Sequence, residues 1–123
     1  MLALSIVSPH GKNIASGRKT LEIRSWRPAQ LPVRGLLIVE NNVMLVEEGQ
    51  FDPNGIAVAV VDVEEVHEWR PLEVEAACST KWLPGYWAWT LSNVRLVSGS
   101  IQVAAHRKLY EIQVPKELLN HVA

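Results

Sequence analysis

A single cysteine, Cys78, is all that this 123-residue chain contains, so no internal disulfide can form and nothing points to a stapled secreted scaffold. Its setting, Ala76-Ala77-Cys78, suits a small buried hydrophobe better than a nucleophile. Long apolar runs are missing, and the first residues lack a basic segment followed by an apolar one. No membrane span and no signal peptide are therefore expected, and a cytoplasmic location is the default. The four histidines, His10, His67, His106 and His121, are scattered without ligand spacing, so no metal site is expected. The lone Gly17-x-Lys19 is not a phosphate loop, and no cofactor is implied. Internal repeats and low-complexity tracts are also lacking.

What is present is an ordinary globular mixture. Apolar residues make up 48% and charged residues 20%, which argues against disorder, and the length suits one domain over residues 1–123. The net charge of −1 hides an uneven distribution. Residues 1–34 hold six cations (Lys12, Arg18, Lys19, Arg24, Arg27 and Arg34) against one acid, Glu22, while the rest holds six cations against twelve acids. Such asymmetry fits a local anionic ligand better than a coat on long nucleic acid, unless folding interleaves the two parts.

Residues 2–6 read as an opening strand. Ser8 then offers a cap, Pro9 a first turn and Gly17 a left-handed stop, which predicts a short, mostly exposed helix with Ile14 as its one strong apolar residue. Residues 19–25 form a charged strand with Leu21 and Ile23 on one face. LLIVE after Gly35 and IAVAVVDVEEV over 56–66 are the strongest strands, joined by a long connection with a DPNG turn. After Pro71, LEVEAAC suits a short helix with early acids. Residues 85–97 return to strand, and a last strand pair around 101–114 precedes a polar tail. Strands not separated by regular helices imply an α+β, mainly β protein: a small, closed or nearly closed β-barrel with short helices attached.

The stretch SGRKTLEIRSW, residues 16–26, is unusual because Arg18, Lys19, Glu22 and Arg24 crowd one strand entry. Gly17-Arg18-Lys19-Thr20-Leu21-Glu22-Ile23-Arg24 resembles the G-x-K-x-x-E-x-R signature of the ASCH domain, a PUA-like β-barrel family. Flanking blocks agree: Leu4-Ser5-Ile6 with Pro9, the segment from Arg24 to Ile38, and the aromatic strand from Tyr86 to Leu96. The first strand–helix junction departs, with Val7-Ser8-Pro9-His10 where many relatives carry Arg-Gln-Pro-Trp. Relatives also often show a glycine where this chain has Ala104-Ala105. The resemblance implies a ligand cleft and binding of RNA or a modified nucleoside. Some small relatives hydrolyse acetylated cytidine with a threonine nucleophile and a lysine, and others are assigned ribonuclease activity. In the amidohydrolase branch that threonine stands where this chain has Glu22.

In a regular strand Glu22 and Arg24 share a face about 6.6 Å apart along the backbone, close enough to pair. Lys19 has the opposite parity, but a bulge or turn after Gly17 would bring its ammonium to Glu22. Two cations around one carboxylate keep it ionised and leave positive charge for a phosphate or carbonyl oxygen. The plain alternative is an exposed ion pair that contributes little. Candidate ligand-binding residues are thus Lys19, Glu22, Arg24, His10, Lys12 and Trp26, the last sharing the Glu22 face and able to stack on a base. Candidate catalytic residues are Lys19 as base, Glu22, and Thr20 as a hydroxyl nucleophile on the same face. Trp82 is a candidate for the cleft rim, Trp87 and Trp89 suit the core better, and Glu73 and Glu75 are solvated acids or an acidic partner. Binding of RNA or a nucleoside is the first expectation, and hydrolysis of acylated cytidine or RNA the second.

Overall fold

The computed structural model describes residues 1–119 and Val122, so His121 lies outside the described residues. The elements in order are β1 (Leu2–Val7), α1 (His10–Ala15), β2 (Leu21–Arg24), β3 (Val33–Asn41), β4 (Phe51–Asp52), β5 (Ile56–Glu68), a 3-10 turn (Pro71–Glu73), β6 (Trp87–Leu96), β7 (Ala105–His106), β8 (Leu109–Glu111) and α2 (Lys116–Leu119). Six strands make one sheet in the order β2-β6-β5-β3-β1-β8, and β4 pairs with β7 in a separate ribbon. β1 runs parallel to β3, whereas the other neighbours are antiparallel. The fold is mainly β, a curled half-barrel sheet carrying two short helices. No helix among the described residues is long and apolar enough to cross a membrane.

The central strands are apolar without alternation because both faces of the sheet are covered. One face packs Leu4, Ile6, Leu36, Ile38, Val61, Val63 and Trp89 around Ile14 of α1. The other packs Ala3, Leu37, Val39, Val60, Ile101, Val103 and Leu118. Each of these larger aliphatic side chains contributes on the order of 2 kcal/mol through burial, and Ala3 less than half of that. A third cluster joins Leu21 and Ala88 to Trp69 and Ala77, with Ile23, Val74, Trp82 and Tyr86 around them. The connection over residues 69–86 thereby covers the outer face of β2 and β6.

Several local expectations change. Ser8 does not cap α1: Pro9 occupies the cap position with no side-chain bond, and the Ser8 amide instead donates to the Asn41 carbonyl at 2.8 Å. The first turn is satisfied from a distance, because the Lys12 amide donates to Glu40 Oε2 at 2.7 Å. α1 is also less exposed than its sequence suggests, since Gly11 is buried against Glu40 and Ile14 is fully enclosed. Gly17 does adopt the left-handed conformation, with φ +83°. LEVEAAC yields only the 3-10 turn Pro71–Glu73, whose Glu73 carboxylate accepts the Arg70 amide at 3.0 Å. The charged strand is shorter than expected and starts at Leu21.

The barrel does not close. β2 and β8 are the two edges of the sheet. β8 covers only Leu2, Ala3 and Leu4 of β1, whereas β3 pairs with β1 as far as Val7. Ser5, Ile6 and Val7 therefore have a strand on one side and an open seam on the other.

Candidate functional site

The seam opens into a cleft of about 910 Å³. Ser5, Ile6 and Val7 of β1 form one bank, and Glu22, Ile23 and Arg24 of β2 with Ser25 and Trp26 after it form the other. The 77–81 turn and the 106–108 segment close the ends. Strand parity explains how β2 contributes. Leu21 and Ile23 face the outer cluster with Trp69, so Glu22 and Arg24 face inward, opposite their cross-strand partners Trp89 and Trp87.

Glu22 lies at the centre of the charged cluster. Its Oε2 accepts Arg24 Nε at 3.0 Å and Arg24 Nη2 at 2.7 Å, while Oε1 lies 3.4 Å from Lys19 Nζ. Lys19 and Glu22 are each only 5% exposed, so this is not the solvated surface pair of the plain alternative. Lys19 reaches the cluster because residues 19 and 20 precede the strand, where parity does not bind them. The Lys19 amide donates to Asn13 O at 2.9 Å, and its ammonium donates to Ala77 O at 2.5 Å. Burial alone would push the Glu22 carboxyl up, but the charges and hydrogen bonds of Arg24 and Lys19 more than offset it, holding the group below its ordinary value of 4.5. Two cations and one carboxylate leave the cluster with a net positive charge.

The remaining candidates divide. His10 lines the cleft, and its Nδ1 is buried with no hydrogen-bond partner among the described residues. Trp26 lines it too, set edge-on against Trp89 at 5.0 Å between ring centroids. Lys12 is exposed, 3.7 Å from Glu40 Oε1, and does not border the cleft. Thr20 is also exposed and outside the cleft, because the strand that was to fix its orientation begins one residue later. Glu73 is held by His67 Nε2 at 2.7 Å and by the Arg70 amide, and Glu75 is exposed; neither lines the cleft. Trp82 stays off the rim, with its indole N–H donating to Trp69 O at 3.0 Å, while Trp87 stacks under Arg27 at 4.7 Å. Cys78 is half-buried at φ +53° and borders the cleft instead of sitting in a core.

Sequence reasoning missed much of the lining. Lys81, Arg107 and Lys108 stand on the rim, and Trp69 and Tyr86 form part of the wall. The Arg107-Lys108 pair between two short strands was the available signal. Five cationic side chains (Lys19, Arg24, Lys81, Arg107 and Lys108) thus border the cleft against one carboxylate, Glu22. Folding concentrates positive charge there although the chain as a whole carries −1, and three of the five come from its acidic part. Ser5 ties the pieces together. Its carbonyl accepts Arg24 Nη2 at 2.9 Å, its hydroxyl accepts the His106 amide at 3.1 Å, and it bonds Tyr110 Oη at 2.8 Å.

Comparison with known proteins agrees with this architecture. The family model described as ASCH domain matches residues 4–99. Among solved structures, the crystal structure of ASCH from Zymomonas mobilis superposes with a TM-score of 0.61 at 15% identity, covering 99% of this chain and 95% of that one. Two single-substitution mutants of the Zymomonas mobilis protein give TM-scores of 0.55 and 0.56, again at 15% identity, covering 97% of this chain and 93% and 91% of theirs. No curated protein matches. The likeness extends to the fold, a PUA-like one.

Proposed function

The chain belongs to the ASCH domain family, and on that premise we propose that its cleft binds RNA or a modified nucleoside. The observation that carries this is the Lys19–Glu22–Arg24 cluster at the open seam, with Lys19 and Glu22 buried and Arg24 half-buried, set in a rim with a strong excess of cations. Much of the Arg24 fork is engaged by Glu22 and Ser5, so Arg24 acts first as a brace, and the exposed Lys81 and Lys108 with Arg107 are better placed for phosphate. Glu22, kept ionised, is an acceptor for base or ribose donors, and Trp26 offers an aromatic surface beside it.

The test is equilibrium binding of the four 5′-mononucleotides, cytidine acylated at its exocyclic amine, and short RNAs. The Arg107→Gln/Lys108→Gln double variant is the comparison. Measurable affinity that falls severalfold in the double variant supports the proposal, and no binding of any of these probes by the wild-type chain overturns it. The same incubations read turnover. Product formed from acylated cytidine or RNA would favour the alternative, a hydrolase with Lys19 as base. Thr20 is then not placed to act as its nucleophile, because it does not border the cleft.

A further inference from the structure

Beyond the 106–108 rim the molecule holds a second hollow. It is bordered by Glu48, Gly49 and Gln50 on one side and by His106, Arg107 and Lys108 on the other. The last three residues belong to both hollows. A ridge of two cations and an imidazole thus separates adjoining spaces, and a bound chain that crosses it meets positive charge on the way.

An aromatic platform adjoins the ridge, with His106 in the lining of both hollows and Phe51 just outside it. Phe51 of β4 and His106 of β7 are cross-strand partners, and their rings stack 5.5 Å apart at 18°. Phe51 is 55% exposed, unusual for a phenylalanine that is the only one in the chain. The platform is braced from below: Tyr110 packs edge-on to His106 at 5.0 Å and bonds both Ser5 Oγ and the Ala104 carbonyl. Burial pushes the Tyr110 hydroxyl above its ordinary pKa, with the Ser5 and backbone bonds opposing, so it remains a neutral hydroxyl near neutral pH. Through Ser5 the platform is connected to Arg24 and hence to the buried cluster.

A flat aromatic face, flanking cations and continuity with a cationic cleft are the features with which proteins hold successive nucleotides of a single strand. We propose that Phe51 and His106, with Arg107 and Lys108, form a second subsite that stacks the base next to the one held in the Glu22 cleft, so that the ligand is a single-stranded RNA segment of at least two nucleotides. The inference rests on the proposed function and adds to it a polymeric ligand. Free nucleosides and mononucleotides would fill only the first space.

The experiment is a length series. Affinities of homo-oligoribonucleotides of one to six residues, in all four bases, are measured for the wild-type chain, Phe51→Ala and Phe51→Trp. The wild type is expected to bind its best dinucleotide or trinucleotide about tenfold or more tighter than the matching mononucleotide. That ratio should fall toward one in Phe51→Ala and return in Phe51→Trp, which keeps a stacking face. Equal affinity for one and several nucleotides in the wild type overturns the second subsite and leaves the cleft proposal standing. A ratio unchanged in Phe51→Ala also overturns it. Loss of all binding in the wild type removes both proposals together.

Discussion

Arg24 and Ser5 meet across the gap that the strands leave open. The guanidinium Nη2 donates to the Ser5 carbonyl at 2.9 Å while Nε and the same Nη2 grip Glu22. A backbone carbonyl at the unpaired part of β1 is thereby satisfied by a side chain from the far edge of the sheet, where a closed barrel would use a neighbouring strand.

That bond depends on the planar fork of arginine. Arg24→Lys keeps the charge but cannot hold Glu22 and Ser5 together with the same geometry. Unfolding in urea should show a loss of about 1–3 kcal/mol. Wild-type stability in this variant would mean that the bridge across the seam is dispensable.

Glu22 should make stability depend on acid. Its folded-state pKa lies below the ordinary 4.5, so the unfolded chain binds the proton more readily, and the contribution is complete above that value. It is lost progressively as pH falls below about 4.5 and through the folded value. Asp62 shifts in the same direction from 3.8, through bonds from Asn93 and Gly35 and the Arg95 charge, so it adds its own loss at still lower pH. Glu22→Gln removes the first contribution and leaves the buried Lys19 and the half-buried Arg24 facing no carboxylate, at a cost of about 3–5 kcal/mol, most of it from Lys19. Urea midpoints from pH 7 to pH 3 would test both points: the variant starts lower and declines less steeply.

Gly11 is required by contact, not by dihedral freedom. A Cβ there would stand 2.8 Å from Glu40 Cβ and 2.9 Å from Glu40 Oε2, the oxygen that accepts the Lys12 amide. Gly11→Ala should therefore destabilise by about 1–3 kcal/mol despite the better helix propensity of alanine. A variant as stable as the parent would show that α1 can shift freely on β3.

Lys108 separates stability from binding. It sits at φ +58°, a conformation that costs a side-chain-bearing residue about 1–2 kcal/mol. Glycine relieves this but gains freedom in the unfolded chain, so Lys108→Gly should leave stability unchanged or raise it by up to about 1 kcal/mol. Affinity for a short RNA should fall, and the slope of log affinity against log salt should flatten by about 0.7 for one lost phosphate contact. An unaltered salt slope would remove Lys108 from the binding surface.

The paired carboxylate and guanidinium were legible because Glu22 and Arg24 lie inside a regular strand whose apolar partners, Leu21 and Ile23, fix the orientation. The same logic failed at Thr20, which lies before the strand begins, and reached Lys19 only by supposing a bulge or turn after Gly17. The central strands read clearly since burial on both faces leaves an unbroken apolar run. By contrast, the short strands β4, β7 and β8 carry too few residues to show a period. Their pairing is set by contacts far apart in sequence, such as the bond between Ser5 and Tyr110. The 106–108 rim and the Phe51 platform were missed for that reason, the adjacent Arg107 and Lys108 being the one signal of them. Ser8 misled because its capping role was taken by Glu40, a residue of another element.

The hollow beside β1 originates in strand count and order, not in the trimming of particular side chains. A sheet with β2 and β8 as its margins leaves a slot wherever β8 stops short, whatever amino acids occupy the interior. Divergence can then rewrite the exposed positions around that slot, among them 81 and 108, with little penalty to the scaffold. Architecture supplies the receptacle, and the side chains exposed around it set its charge.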